Sequence, residues 1–393
     1  MKILHIVPTY TPAFRYGGPI WSVHGLNRWL VAAGAEVTVF TTNADGHGVL
    51  NVPTGVPVNV DGVTVFYFPR SFPDAWFYSR AMRRALAERI REFDVVHITS
   101  VFLAASTLGT HYARRARKPY VISPRGSLMR ETIAQKGTLK KKLYLSLIER
   151  RNLAHARAVH FTTPIERDEY IAEGLPVTQA FILPNGIDAP TLGTADGAAF
   201  RTRNSIPTDA KVILSFGRIS WKKGFDTLIP AFARVREKDP RAVLVIGGND
   251  AEGYSETIRE LVRKHGVQQW VRLLVSSGSA ILGEEKEALF QTASVFVLPS
   301  YAENFAIVVL EAMQAGKPVI VSENVGLAED IAEADAGIVI PKDEELLANA
   351  LLSLLADASR AERMGAYGRE LARTRFSWPA IAKQLLALYT RIV

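Results

Sequence analysis

Short apolar, β-branched runs alternate along the chain with longer amphipathic stretches. Residues 2–7 form the first run; the loop 8–18 follows, and a periodic segment at 20–33 ends at Gly34 before a second run at 36–41. Continuous apolar runs joined by amphipathic segments predict parallel strands, buried on both faces and linked by helices. The pattern continues with predicted strands at 61–68, 94–98, 120–123, 158–163 and 181–183, and predicted helices at 79–92 and 103–115. Elements in this order build a doubly wound α/β sheet.

The order breaks once. Pro184-Asn185-Gly186-Ile187-Asp188 is a turn cluster, and the polar, glycine-containing stretch 191–208 is the expected linker. Beyond it, strands are predicted at 211–216, 242–246, 271–275, 295–298, 318–322 and 337–340, with helices at 227–238, 254–265 and 284–293 among them. Two α/β domains are therefore expected, 1–188 and 189–377, as the length of 393 residues also suggests. Ser377-Trp378-Pro379, a capping serine with proline near the first turn, opens a final helix to Val393.

Composition narrows the class. Apolar residues make up 48% and charged residues 22%, the balance of a folded soluble chain. No run approaches the roughly 18 apolar residues of a membrane helix, and His5 and Pro8 break the opening MKILHIVPTY too early for a signal-peptide core, so a cytoplasmic protein is expected. With no cysteine, disulfides, thiolate metal sites and cysteine nucleophiles are excluded. The net charge of +8 is concentrated: from His111 to His160 thirteen Lys or Arg face only Glu131 and Glu149. This basic region, 114–157, is suited to an anionic surface or substrate. Within it 139–153, LKKKLYLSLIERRNL, has the pattern of a basic amphipathic helix that can lie peripherally on an anionic membrane. No nucleic-acid recognition motif accompanies the charge, so nucleic acid is not an expected partner.

Candidate chemistry lies where strands end. Gly17-Gly18 follows the first strand and lets the backbone approach a ligand phosphate or sugar, although neither GxGxxG nor GxxxxGK[ST] is present. Strand 120–123 delivers Arg125 at its carboxyl end, and strand 94–98 contains His97, either a site residue or a hydrogen-bonded core histidine. In the second half, GRISWKKG places Arg218 and Lys223 five residues apart in a glycine-bounded loop, a forked cation and a point charge suited to a diphosphate. The stretch 300–316, SYAENFAIVVLEAMQAG, is expected to open a helix. Helical spacing would set Glu303 and Glu311 about 12 Å apart along one ligand, with the amides of Asn304, Phe305 and Ala306 at the helix mouth.

Taken together, GRISWKKG at 217–224, PSYAENFAIVVLEAMQAGKPVI at 299–320, Gly17-Gly18, PNGID at 184–188 and FSWPAIAKQLLALY at 376–389 resemble the family 4 glycosyltransferases over nearly the whole chain. That resemblance implies the GT-B fold: two facing Rossmann-like doubly wound parallel-sheet domains with an inter-domain cleft, the last helix (378–393) returning to the first domain. It implies a retaining glycosyltransferase that takes a nucleotide diphosphate sugar as donor, with no cofactor and no metal. The acceptor would be a polysaccharide, oligosaccharide or lipid-linked glycan, in polysaccharide biosynthesis at the inner face of the cytoplasmic membrane. By position Arg218 and Lys223 resemble the diphosphate ligands and Glu311 the residue accepting from ribose hydroxyls. Glu303 would face the donor sugar, with the amides of Asn304, Phe305 and Ala306 around sugar and phosphate. Three departures stand out. Arg125, in SPRGSL, occupies a position where many relatives carry histidine and implies phosphate or acceptor binding; Ala306 replaces a common glycine; and VSSGSAI at 275–281, in the base-recognition region, lacks the usual pattern. Two alternatives remain open: a phosphorylase-like or epimerase member of the same fold, and a catalytically silent carbohydrate-binding protein.

Overall fold

The computed structural model describes residues 1–72, 76–134, 138–189, 196–250, 252–276, 281 and 283–393. Lys136 of the basic region, 191–195 of the expected linker and 277–280 of the VSSGSAI stretch lie outside them. The chain divides into two compact units, Met1–Gly186 with Trp378–Val393, and Ile187–Ser377.

The first unit contains strands β1 (Lys2–Ile6), β2 (Glu36–Thr42), β3 (Ala44–Asp45), β4 (Gly48–Val49), β5 (Pro57–Val60), β6 (Val63–Phe68), β7 (Val95–Thr99), β8 (Tyr120–Ser123), β9 (Ala158–Phe161) and β10 (Ala180–Ile182). Eight of them form one sheet in the order β10-β9-β8-β7-β1-β2-β6-β5, while β3 and β4 pair separately. Every neighbouring pair in the large sheet is parallel except β5–β6. Strand β5 is absent from the sequence expectation, although Asp61-Gly62, both at positive φ, is a strong two-residue hairpin signal. The order reverses between β1 and β7, so the loops beyond those strands part and leave a crevice at their carboxyl ends.

The second unit repeats the design with β11 (Lys211–Phe216), β12 (Ala242–Asn249), β13 (Val271–Ser276), β14 (Val295–Leu298), β15 (Val319–Ser322) and β16 (Gly337–Ile340). Among the described residues they form a wholly parallel sheet, β13-β12-β11-β14-β15-β16, whose switch point lies between β11 and β14. One expectation about this unit needs correcting. The helix after β14 runs Ile307–Gln314, not from the start of the 300–316 stretch, so Glu303 stands on a loop and not on the helix that carries Glu311. Ala306 ends the loop in the left-handed region at φ 63°, which breaks any continuous helix across it.

The predicted amphipathic segment 139–153 is helical, with a π turn at Leu145–Glu149 between Thr138–Tyr144 and Arg150–Ala154. That wide turn buries Glu149, whose Oε1 accepts from Phe102 N–H at 2.8 Å and Oε2 from Asn152 at 3.1 Å; burial pushes its carboxyl up. Leu139, Leu143 and Leu147, four residues apart, remain 82%, 59% and 67% exposed.

The last helix, Trp378–Ile392, covers one face of the first sheet with the helix Gly18–Ala32, and Trp378 lies against Gly25 and Gly186. Beneath it, β1, β7 and β9 carry a row of buried imidazoles, with β8 between the last two. His5 stacks on His97 at 4.6 Å between ring centres, and His97 meets His160 edge-on at 5.5 Å. His5 donates to Asn27 Oδ1 at 2.6 Å and accepts from Thr99 at 2.8 Å, His97 shares a 2.5 Å hydrogen bond with Tyr389, and His160 donates to the Leu183 carbonyl at 2.8 Å. Burial lowers His5 to about 4 and His160 to about 3, and pushes His97 well below its usual value. Because the unfolded chain protonates these rings near pH 6.5, it binds more protons than the folded chain between that pH and about 4. Their contribution is complete above pH 6.5 and is lost as the pH falls through the folded values, on the order of 3 kcal/mol for His5. Thermal unfolding followed from pH 7 to pH 4 should show a progressive fall in midpoint, and His5→Gln should flatten that slope.

Candidate active site

The loop after β11 and the loop after β14 flank the switch point of the second sheet, and main-chain contacts fix them together. Gly217 leads to the short turn Trp221–Lys223 and then to Gly224, at φ 70° in the left-handed region, which starts the helix Phe225–Lys238. A Cβ at Gly224 would overlap the Pro299 carbonyl oxygen, so glycine there permits the approach. Tyr301 N–H donates to the Lys222 carbonyl at 2.8 Å. Glu303 is tied in turn to the loop beyond β15: its N–H donates to Asn324 O at 3.0 Å and its carbonyl accepts from Gly326 N–H at 2.9 Å.

These ties bring Lys223 Nζ to 2.5 Å from Glu303 Oε1, with the two side chains only 11% and 20% exposed. A second pair lies further along. Glu311 sits four residues into its helix, about 6 Å and one turn from the mouth, and its Oε1 accepts from Lys286 Nζ at 2.6 Å. Lys286 also lies 5.4 Å from the centre of the Phe216 ring. The other oxygen of Glu311, Oε2, is buried without a hydrogen-bond partner among the described residues. Sequence reasoning did not find Lys286: it comes from the helix Gly283–Thr292, where one lysine among three glutamates carries no motif.

The remaining second-unit candidates divide by what they can offer. Arg218 is exposed and forms no ion pair or hydrogen bond among the described residues. Asn304 is partly buried. Phe305 is buried and meets Phe376 edge-on at 5.9 Å, so its side chain belongs to the core and only its main chain remains for a ligand. Ala306, also buried, provides no side-chain cap, and the helix Ile307–Gln314 begins directly after the loop that carries Glu303, leaving its first N–H groups without a side-chain cap.

In the first unit, Gly17 (φ 75°, ψ −144°) occupies a backbone region essentially restricted to glycine, with nothing within 4 Å of where a Cβ would stand. Gly18 then begins the helix, with Pro19 in its first turn. Arg125, at the carboxyl end of β8 with φ 54°, donates through Nη1 to Asn185 Oδ1, while its buried Nε has no partner among the described residues. Burial lowers its guanidinium to about 10, partly offset by the nearby Glu166, so it stays charged at neutral pH. Glu166 is occupied elsewhere, accepting from Gly126 N–H at 2.5 Å and Thr162 N–H at 2.8 Å. His97 has no exposed surface; it lies inside the unit against Tyr389, with Nε2 unpartnered among the described residues.

Comparison with known proteins agrees with this architecture. Residues 17–186 match the glycosyl transferase 4-like domain, and residues 197–371 match glycosyl transferases group 1. An uncharacterized glycosyltransferase of Methanocaldococcus jannaschii is 28% identical across 99% of this chain and 98% of its own. D-inositol 3-phosphate glycosyltransferase of Corynebacterium efficiens is 36% identical, over 50% of this chain and 46% of that one. Among solved structures, sucrose-phosphate synthase from Thermosynechococcus elongatus superposes with a TM-score of 0.75 at 24% identity, covering 100% of this chain and 98% of that one. Anabaena HepE in complex with UDP and glucose gives 0.77 at 19% identity, covering 100% of both. At these identities the structural likeness establishes the fold, GT-B with two Rossmann-like parallel-sheet domains.

The dependence of the site on Gly224 can be measured. Gly224→Ala adds a methyl group against a backbone oxygen that has no rotamer to move, and should destabilise the chain by about 2 kcal/mol or more in urea unfolding.

Proposed function

Since the chain belongs to the group 1 glycosyltransferases, we propose that it moves a sugar, with retention of configuration, from a nucleotide diphosphate sugar to a glycan or lipid-linked acceptor. The observation that carries the donor assignment is Glu311: one oxygen is held by Lys286 and the other is buried without a partner among the described residues. An acceptor so placed costs about 1–3 kcal/mol while unsatisfied, and a ribose hydroxyl supplies the missing donor. One turn away, the uncapped helix mouth, Lys223 and Arg218 present N–H groups and positive charge to the diphosphate. Lys223 has three donor protons, so it can hold a phosphate oxygen and Glu303 together, while Glu303 accepts from a sugar hydroxyl.

In transfer, the bond between the anomeric carbon and the diphosphate oxygen breaks, and the acceptor oxygen bonds to that carbon on the same face. The acceptor proton leaves with the departing diphosphate. Arg218 and Lys223 stabilise the charge that develops on the leaving group, without a metal. On the acceptor side Arg125 offers its unpartnered Nε to an anionic group, such as the diphosphate of a lipid-linked glycan. His97, enclosed beneath the last helix, has no surface for that role. Gly17 and Gly18 offer main chain at the first switch point.

No helix among the described residues is long and apolar enough to cross a membrane. The exposed Leu139, Leu143 and Leu147, flanked by Lys140 and Lys142, instead support peripheral docking on an anionic membrane.

Glu311→Ala and Lys223→Ala should each lower acceptor-dependent release of nucleoside diphosphate by about 100-fold or more while circular dichroism stays unchanged, and EDTA should leave the wild-type rate intact. Undiminished turnover in either variant removes the donor-site assignment. Donor consumption that needs no acceptor favours a phosphorylase or epimerase, and binding without turnover across a donor panel favours a silent carbohydrate-binding protein. Changing Lys140, Lys141 and Lys142 to Glu should weaken binding to anionic vesicles by about 100-fold, and equal binding would dismiss membrane docking through this helix.

A further inference from the structure

The amino-terminal edge of the first sheet lies one strand length, about 10 Å along β8, from the edge that carries Arg125. It opens into a cavity of about 680 Å³, a volume typical of small-molecule sites. Arg114, Arg115, Arg117, Lys118 and Arg157 line it, over an apolar floor of Pro119, Tyr120 and Ile392. None of the five cationic side chains has an ion pair or hydrogen bond among the described residues. An adjoining cavity of about 530 Å³ shares Arg157 and adds Arg391, Thr178 and Gln179.

Helix ends alone do not account for this charge. The helices Ala104–Arg115, Arg150–Ala154 and Trp378–Ile392 end at this edge and bring their negative dipole ends to it, each equivalent to about half a charge. Against five cations, and even counting a carboxylate at Val393, a surplus of about +2.5 remains. Like charges gathered around a concave, partly apolar wall focus a positive potential into it.

We propose that this cavity is a second anion site, separate from the donor and acceptor positions, which takes a small molecule or headgroup bearing two or three linked phosphates. Several phosphates are needed to balance the surplus, and forked guanidinium contacts suit them better than a single carboxylate. The ligand is a soluble polyphosphate such as a nucleoside triphosphate, or a phosphorylated lipid headgroup.

Inorganic tripolyphosphate titrated into the full chain at constant ionic strength provides the test, read by calorimetry and thermal shift. The combined variant Arg114→Gln, Lys118→Gln, Arg157→Gln should bind at least 10-fold more weakly than wild type; the double variant Arg115→Gln, Arg117→Gln covers the case in which the triple variant does not fold. In a Lys223→Ala background, which impairs the donor site, binding should stay within about 2-fold. Cavity variants that bind like wild type, or complete loss of binding in Lys223→Ala, would overturn the proposal. Competition then separates the sources: displacement by ATP supports a soluble ligand, displacement by vesicles carrying a lipid diphosphate supports a headgroup, and displacement by neither counts against the site.

Discussion

Main-chain contacts that set Lys223 beside Glu303 organise the loops at the switch point of the second sheet. Both charges lie mostly out of water, where an unpaired ammonium or carboxylate costs several kcal/mol, so each neutralises the other at 2.5 Å. The backbone that brings them together does not depend on the pair: Gly224 against Pro299, Tyr301 against Lys222, and Glu303 against the chain beyond β15 are all main-chain contacts. The side chains can therefore exchange partners when a diphosphate arrives without unmaking the loops. Lys286 and Glu311 repeat the arrangement one turn into the next helix, with the difference that one carboxylate oxygen is left over. A site that must receive an anion and several hydroxyls thus keeps its charges balanced while empty, and as each pair opens the ligand takes the partner's place, so neither charge is left unpaired.

The first unit solves a different problem. Its sheet face holds histidines on β1, β7 and β9 where aliphatic residues would pack without polar demands, and the last helix closes over them with Tyr389 bonded to His97 across 292 residues of sequence. The chain leaves this unit after Gly186 and returns at Trp378, and the two passages run side by side where Ile187 pairs with Ser377. The imidazoles stay neutral because burial outweighs their hydrogen bonds, and a neutral ring can accept the Tyr389 hydroxyl proton where a charged one cannot.

The parallel sheets were legible in the sequence because strands buried on both faces show as unbroken apolar runs, and the helices between them as 3.6-residue periods. Arg218, Lys223 and Glu303 were legible as candidates because they follow strand ends within glycine- and proline-marked loops, and Glu311 by its spacing from Glu303 and by the family resemblance. What escaped depends on long-range geometry. Lys286 lies 25 positions from Glu311, and its role arises only from the packing of its helix. The helix start was placed too early because nothing local marks Ala306 as left-handed; alanine is a strong helix former, and tertiary contacts override that preference. Strand β5 was missed for the opposite reason, since its Asp-Gly turn was visible but the four residues before it, Pro-Val-Asn-Val, are too few to stand out.

Parallel sheets also impose an electrical asymmetry that helps explain where this chain places its basic residues. At the carboxyl edge, helices begin, and their unpaired N–H groups attract anions before any side chain is considered. There Arg125 can be answered by a single amide and still have a donor to spare. At the amino edge helices end, and their carbonyls repel anions, so a cation or two would merely neutralise the dipoles. Five basic side chains around one cavity exceed that requirement, and mutual repulsion among them is a standing cost unless a ligand relieves it. The same count of charges would be unremarkable on an open helix face; gathered in a concavity against helix C-termini, it points to an anion.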